Sequence, residues 1–255
     1  IDDTRLLRPM VTATSFLKSH EIRQLEKLIV HTMGSKCIPE LIELVKDVEP
    51  ADRARLTAGK MLAQLELAKL QKELPEVIQK ELERARFYFY SAHTLPKTYL
   101  GHDLTILKEG LLSNFQSVID FIIHLLGASY WIEDAPLIVH SLHSKNMKIH
   151  SSAVETLEIA CERSIFKLLY PLIGDLPLRE KLKYCQKFQP TVLEVPEVLE
   201  EMETRGNEAK NPLDLIIALA WKHALRLPSK TATASHFKEV EKPFLHQFVE
   251  EIHRP

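Results

Sequence analysis

The chain has 255 residues, of which 45% are hydrophobic and 27% are charged, and its formal net charge is −2. These values are typical of a folded protein and exclude a disordered chain. Binding to nucleic-acid phosphates requires a clustered cationic surface, which a nearly neutral chain does not supply broadly, so we expect no direct nucleic-acid partner. Cys37, Cys161 and Cys185 are odd in number and widely spaced. This spacing predicts buried, reduced thiols and a cytosol-like compartment.

Helices are predicted along almost the whole chain, because apolar residues recur with a period of about 3.6 and only seven glycines occur. The predicted fold class is therefore all-α. In chain order, the predicted helices cover residues 3–18, 20–33, 38–47, 51–70, 75–93, 103–127, 135–143, 147–162, 165–173, 178–188, 196–205, 212–226 and 240–253. Proline is expected in the first turn of several helices, where its missing N–H costs little: Pro39, Pro75, Pro136, Pro196, Pro212 and Pro243. Asp134 and Asn211 are predicted N-caps.

No membrane-spanning segment or signal peptide is predicted from these residues. The two most apolar runs, 115–132 and 213–227, contain ionisable residues such as Asp120 and Lys222. A spanning helix requires about 20 residues nearly free of charge, so both runs are interpreted as buried helices. The chain begins at Ile1 rather than at a methionine, which we interpret as a region of a longer protein.

A two-helix unit occurs twice, at 39–62 and at 136–157. In each unit, a proline and regularly spaced apolar residues lead to a polar turn, at Asp47 in the first and at Ser144 in the second. The second helices then agree in the spacing of their apolar residues: Ala54, Ala58 and Leu62 against Ile149, Ala153 and Leu157. A unit that cannot bury its own apolar face must stack on a neighbour, so the repeat predicts an α-α superhelix.

These units resemble HEAT repeats, in which a first helix with a proline, an aspartate in the turn and an arginine in the second helix recur. The first unit keeps both polar positions, as Asp47 and Arg55, whereas the second has Ser144 and His150 there. The resemblance implies an irregular HEAT-like (armadillo-like) α-solenoid. It also implies that an aspartate–arginine ladder between repeats is broken at the second unit.

Residues 80–190 carry a narrower resemblance. The succession ELERARFYFYSAHTLP, IIHLLGASY and IVHSLHSKNMKIHSSAVETLE is similar to the HEAT-repeat region that follows the membrane portion of bacterial transporter-like proteins related to ATP/ADP translocases. This resemblance implies a cytoplasmic domain attached to a membrane protein, with any transport activity outside these residues. A cyclic-nucleotide-binding-like domain can follow the repeats in that family.

Composition divides the chain into two regions. Residues 1–227 carry the helical repeats and are predicted to form the solenoid, whereas residues 228–235 read PSKTATAS, which is typical of a linker. Further apolar residues then share one predicted helix face: Phe244, Leu245, Phe248, Val249 and Ile252. We therefore predict that residues 228–255 are a linker and a capping or connecting helix.

The function predicted from these patterns is that of a non-catalytic scaffold or regulatory module, which binds a protein partner or a neighbouring domain of the same chain. We expect the second helices of successive repeats to line one surface. The predicted interaction surface on those helices comprises Arg55, Lys60, His150, Glu155 and Glu158. No catalytic residue, cofactor or metal ligand is assigned, and the oligomeric state stays open.

Three histidines near the second polar turn are a candidate metal site. His140 and His143 are three residues apart on one predicted helix, and His150 follows across the turn, so the three imidazoles can approach one another. No carboxylate or cysteine stands beside them with the spacing of a ligand set. Ordinary polar turn residues are therefore the preferred interpretation.

The doublet His102–Asp103 is similar to that of all-α metal-dependent phosphohydrolases, with His93 and Asp120 nearby in sequence. Such enzymes bring histidines and aspartates from several helices to one metal that activates water. A metal-dependent phosphohydrolase is therefore the alternative function. The preferred interpretation of Asp103 is a helix N-cap.

A third alternative is a nucleotide- or RNA-binding solenoid. Arg84 and Arg86 accompany four consecutive aromatic residues, 87–90, a combination that can stack on bases beside a phosphate. Four consecutive residues span a whole helical turn, so some must face the core, and core packing is the preferred interpretation. The acidic run 194–203 is interpreted as the solvated face of a helix.

Overall fold

The structure is a computed structural model that describes residues 4–48, 51–208 and 212–226. It confirms the prediction of an all-α fold. The α-helices are α1 Leu7–Ala13, α2 Ser19–Met33, α3 Ile38–Lys46, α4 Asp52–Thr94, α5 Thr105–Ala128, α6 Ala135–Leu142, α7 Met147–Ala160, α8 Arg163–Ile173, α9 Leu178–Gln186, α10 Val195–Glu208 and α11 Pro212–Ala224. A two-stranded antiparallel hairpin, β1 Thr98–Tyr99 and β2 His102–Asp103, connects α4 to α5.

Most described helices start and end close to the predicted bounds, with larger differences in α1 and α4. The predicted helix 3–18 is an α-helix only at Leu7–Ala13, with 3-10 turns at Thr4–Leu6 and Thr14–Phe16. In α4, a boundary was expected at Pro75, but the helix continues through this proline, and the backbone instead departs from helical geometry at Glu66 (φ −156°, ψ 84°). The proline costs one hydrogen bond. Leu74, Val77 and Ile78 around it are fully buried, and their burial favours a continuous helix there.

Two predicted caps have different outcomes. Asp134 occupies the N-cap position of α6 in the left-handed conformation (φ 45°, ψ 51°), and its side chain makes no capping hydrogen bond, so this prediction was wrong. Asp103 lies one residue before the N-cap of α5, which is Leu104 and makes no side-chain capping hydrogen bond, so the predicted position was wrong by one residue. The Asp103 carboxylate still accepts hydrogen bonds at the start of the helix, from the Thr105 N–H at 2.8 Å and the Thr105 hydroxyl at 2.6 Å. These bonds lower the pKa of Asp103. The predicted cap Asn211, Pro243, the linker and the helix 240–253 lie outside the described residues.

Helix α4 lies at the centre of the packing. It packs along α3 and α5 and also contacts α8 and α9, while α6, α7, α8 and α9 contact one another in succession. In a solenoid, each helix contacts mainly the helices next to it in the chain, as α6 to α9 do. The contacts of α4 with α8 and α9 instead join helices that are distant along the chain. The superhelical arrangement therefore stays a prediction.

Helix α5 is long and apolar enough to cross a membrane by length and composition, with a mean hydropathy of 1.4 over its most apolar window. Half of that window is buried inside the fold, and α5 packs against α4, α6 and α11. Core helices of folded domains share these properties. The packing favours the interpretation of α5 as a core helix.

The three cysteines, Cys37, Cys161 and Cys185, are free and buried, as predicted. Burial raises the pKa of both the Cys161 and Cys185 thiols to about 11. These thiols therefore stay protonated at neutral pH, which makes them poor nucleophiles and poor metal ligands.

Candidate interaction surface

Helices α6 and α7 are the two helices of the second predicted unit, and they leave an open groove of about 460 Å³ between them. Pro136 lies in the first turn of α6, and Asn146 caps α7 by accepting a hydrogen bond from the Lys148 N–H at 3.0 Å. Both helices therefore start where local residues favour it. Side chains of α6 and of α7 therefore line the two sides of the groove.

Large apolar side chains are exposed along this groove. Leu137 on α6 is 59% exposed and Ile149 on α7 is 46% exposed, and both line the groove. Ile159, which is almost fully exposed, lies seven residues after the lining residue Ser152 and hence on nearly the same face of α7. Single exposed apolar residues are ordinary, whereas a group of them around one groove makes this groove the candidate interaction surface.

Two histidine–aspartate contacts lie beside the groove. The His143 Nε2 is 2.8 Å from the Asp120 Oδ1, which links the end of α6 to α5. The His150 Nδ1 is 3.0 Å from the Asp175 Oδ1, although the alignment is not that of a hydrogen bond and this nitrogen has no hydrogen-bond partner. We therefore describe the second pair as a close contact and not as a hydrogen bond. The Ser151 hydroxyl donates a hydrogen bond to Asp175 as well.

His143 and His150 face one small cavity of about 170 Å³, which Asp120 and Lys181 also line. Burial lowers the pKa of Lys181, with Asp175 opposing that shift, and its ammonium donates to the Leu172 carbonyl at 2.9 Å. The cavity is small, and Asp120, His143, His150 and Lys181 already have contacts within the fold. Its lining comes from helices α4 to α9, so it has the character of a packing site where these helices meet.

The three candidate histidines do not converge on one point, although His143 and His150 line the same small cavity. His143 and His150 approach different aspartates, and His140 does not line the small cavity. Within residues 4–48, 51–208 and 212–226, no group of three or more histidine, cysteine, aspartate or glutamate side chains is placed to hold a metal ion. The arrangement favours the interpretation of these histidines as polar residues of the turn.

The predicted interaction surface is only partly at the surface. Lys60, Glu155 and Glu158 are exposed and His150 is partly buried, but Arg55 is 1% exposed. The placement of Arg55 on an exposed face was wrong, because its guanidinium binds the buried Glu81 carboxylate in the core.

Sequence reasoning missed Glu81 and Asp175, the partners of Arg55 and His150. It named Asp120 for the alternative phosphohydrolase site and not as the partner of His143. Asp47, the aspartate of the first predicted turn, accepts a hydrogen bond from the Arg8 Nη1 at 2.7 Å.

The two aspartates of the alternative phosphohydrolase site do not meet. The Asp103 carboxylate accepts hydrogen bonds from Thr105, whereas Asp120 contacts His143. Thr105 and Asp120 belong to the same continuous helix, which separates them by about 22 Å. His93 bonds through its Nδ1 to the Phe89 carbonyl at 2.8 Å. One metal cannot be shared by Asp103 and Asp120.

Core packing, the preferred interpretation of the aromatic run 87–90, is confirmed. The four side chains at 87–90 are buried, so none of them offers an exposed ring to a nucleic-acid base. Phe87 and Tyr88 meet edge to face, with centroids 5.4 Å apart. Such packing contributes to the core.

No protein-family model, curated protein or solved structure matches this chain. The class that the structure defines is an all-α protein with a mixed apolar and polar groove between α6 and α7. The resemblance to HEAT repeats and to transporter-like proteins depends on the residues quoted above, and it stays a prediction.

Proposed function

We propose that this chain is a non-catalytic, HEAT-like interaction module of a larger, membrane-associated bacterial transporter-like protein. In this proposal, the α6–α7 groove binds one amphipathic helix, supplied by a protein partner or by a neighbouring domain of the same protein. The observation that carries the proposal is the exposure of Leu137 and Ile149 along that groove.

The energetic argument concerns these apolar side chains. Full burial of a leucine or isoleucine is worth about 1.5–3 kcal/mol, and both side chains are roughly half exposed in the described fold. A groove between two helices matches the apolar face of a third helix, whose anchors recur at three- and four-residue intervals. The groove therefore supports binding of a helix with two or three apolar anchors.

The charges on the rim favour a partner with a basic polar face. Glu133 and Asp134 line one end of the groove, and Glu155 follows one turn after Ser152 on α7. Lys148 is the basic residue of the lining. Because rim charges mainly steer association and specify partners, we expect binding to weaken as the salt concentration rises.

The test is site-specific photo-crosslinking in the intact parent protein. A photoreactive residue at Ser152, which is exposed in the groove, is expected to yield one defined crosslink to an amphipathic helix with a basic polar face. Substitution of Leu137 and Ile149 by glutamate is expected to reduce this crosslink about tenfold or more, because two apolar anchors are lost.

The matched control is Phe16→Glu, which places the same charge at an exposed apolar residue away from α6 and α7. This variant should leave the crosslink unchanged. A crosslink that persists in the Leu137 and Ile149 variant would contradict the proposed groove. Stoichiometric iron, manganese or zinc in the purified protein would contradict the non-catalytic assignment.

A further inference from the structure

A second pocket, of about 420 Å³, lies between α4, α10 and the segment that connects α9 to α10. It shares no lining residue with the α6–α7 groove. Arg86 and Phe87 of α4, Phe188 of the connecting segment and Arg205 of α10 form its walls. The volume falls within the range of small-molecule sites.

Arg86 is a buried cation without a carboxylate partner. Its side chain is 5% exposed, its Nε has no hydrogen-bond partner, and its Nη1 donates one long bond of 3.4 Å to the Tyr184 hydroxyl. Among the ion pairs of the described residues, none includes Arg86. The guanidinium instead lies 4.0 Å from the centre of the Phe188 ring.

Such an arrangement is unfavourable without an anion. A guanidinium stays protonated in proteins, and a buried charge normally has an oppositely charged partner, because its desolvation is otherwise uncompensated. Stacking on Phe188 offsets only part of this cost. Arg86 is therefore placed to bind an anion that enters the pocket.

A second guanidinium lines the same pocket. Arg205 lies 4.6 Å from the centre of the Phe87 ring, and Glu201 accepts a hydrogen bond from its Nε at 2.7 Å. This contact leaves the Nη1 and Nη2 groups of Arg205 for a ligand. Two guanidinium groups in one pocket suit an anion with three oxygens better than a carboxylate, which one guanidinium can satisfy.

We propose that this pocket binds a small organic phosphate, with one phosphate group held between Arg86 and Arg205. Phe188, which is 55% exposed, and Leu193 supply an apolar wall for the organic part of the ligand. Two carboxylates, Glu83 and Glu201, also line the pocket. Glu201 is paired with Arg205, and both carboxylates disfavour a second or third phosphate. The ligand class is therefore a monophosphate that carries an aromatic or apolar group.

The test is isothermal titration calorimetry on the 255-residue chain, with adenosine 5′-monophosphate, ribose 5-phosphate and inorganic phosphate as probes. One saturable site is expected, and the adenosine compound should bind about tenfold more tightly than inorganic phosphate, because base–aromatic stacking adds to the phosphate contacts. Arg205→Gln should weaken binding of all three about tenfold or more. Arg205 is partly exposed, so this variant is expected to fold.

The matched control is Arg179→Gln, which removes the same charge from an exposed position on α9. Its affinities should equal those of the unchanged chain. Absence of binding for all three probes, or equal weakening by Arg205→Gln and Arg179→Gln, would overturn the proposal. Either result would leave the α6–α7 groove untouched, because the two sites share no lining residue.

Discussion

Replacement of Arg55 by methionine is expected to lower the free energy of unfolding by about 3–5 kcal/mol, the cost of breaking a buried ion pair. The Arg55 Nη2 donates to the Glu81 Oε1 at 2.7 Å, and both side chains are almost completely buried. The guanidinium also donates two bonds to the Val45 carbonyl, at 3.1 and 3.3 Å. The substitution therefore removes a charge partner and leaves a buried carbonyl without these donors.

The remaining partner of Glu81 limits the loss. The Arg84 Nη1 lies 2.5 Å from the other oxygen of this carboxylate. Burial acts to lower the pKa of Arg84, but the Glu81 and Asp52 carboxylates raise it overall, so Arg84 stays charged. We therefore expect a value near the lower end of the range, about 3 kcal/mol, in urea denaturation.

Arg86→Met is the matched control for this prediction. Arg86 is also buried, but it has no carboxylate partner among the described residues, and methionine keeps an apolar stem. Arg86→Met should not lower the free energy of unfolding, because it leaves no buried anion unpaired and removes an uncompensated buried charge. Equal losses for Arg55→Met and Arg86→Met would contradict the role given to Glu81.

Much of the helical structure could be predicted because its causes are local. Helix α7 was predicted at 147–162 and is observed at Met147–Ala160, since its apolar period and the Asn146 cap lie within one short segment. Pro75 shows the limit of such reasoning. The local rule places a boundary at a proline, but burial of Leu74 and Val77 against the rest of the fold outweighs it.

The candidate surface was less predictable, because burial of a charge depends on partners that are distant in sequence. Arginine is mostly exposed in proteins, and nothing near Arg55 shows that Glu81 lies beside it in the fold. The sequence offered one signal, which is that the second unit has His150 at the position of Arg55 in the first. In the structure, each of these two residues contacts an acid from a later part of the chain, Glu81 for Arg55 and Asp175 for His150.

Asp214→Ala is expected to lower the free energy of unfolding by about 2–5 kcal/mol, because two buried donors lose their acceptor. The Asp214 carboxylate is buried at the start of α11 and accepts hydrogen bonds from the Tyr88 hydroxyl of α4 and from the Asn114 Nδ2 of α5, the latter at 2.5 Å. Burial first, and then the Asp214 charge, raise the pKa of Tyr88, so its hydroxyl remains a donor. A thermodynamic cycle with Tyr88→Phe should show coupling, whereas strictly additive losses would contradict the contact.

The loss caused by Asp214→Ala should also be local. Helices α10 and α11 pack mainly on each other and are joined by the buried Lys222–Glu203 ion pair. We therefore expect the two helices to unfold locally as one unit. Hydrogen exchange should therefore accelerate in α10 and α11 more than in α4 and α5. Because Arg205 belongs to α10, the same variant should weaken phosphate binding in the second pocket, whereas the exposed Arg179→Gln variant should change neither property.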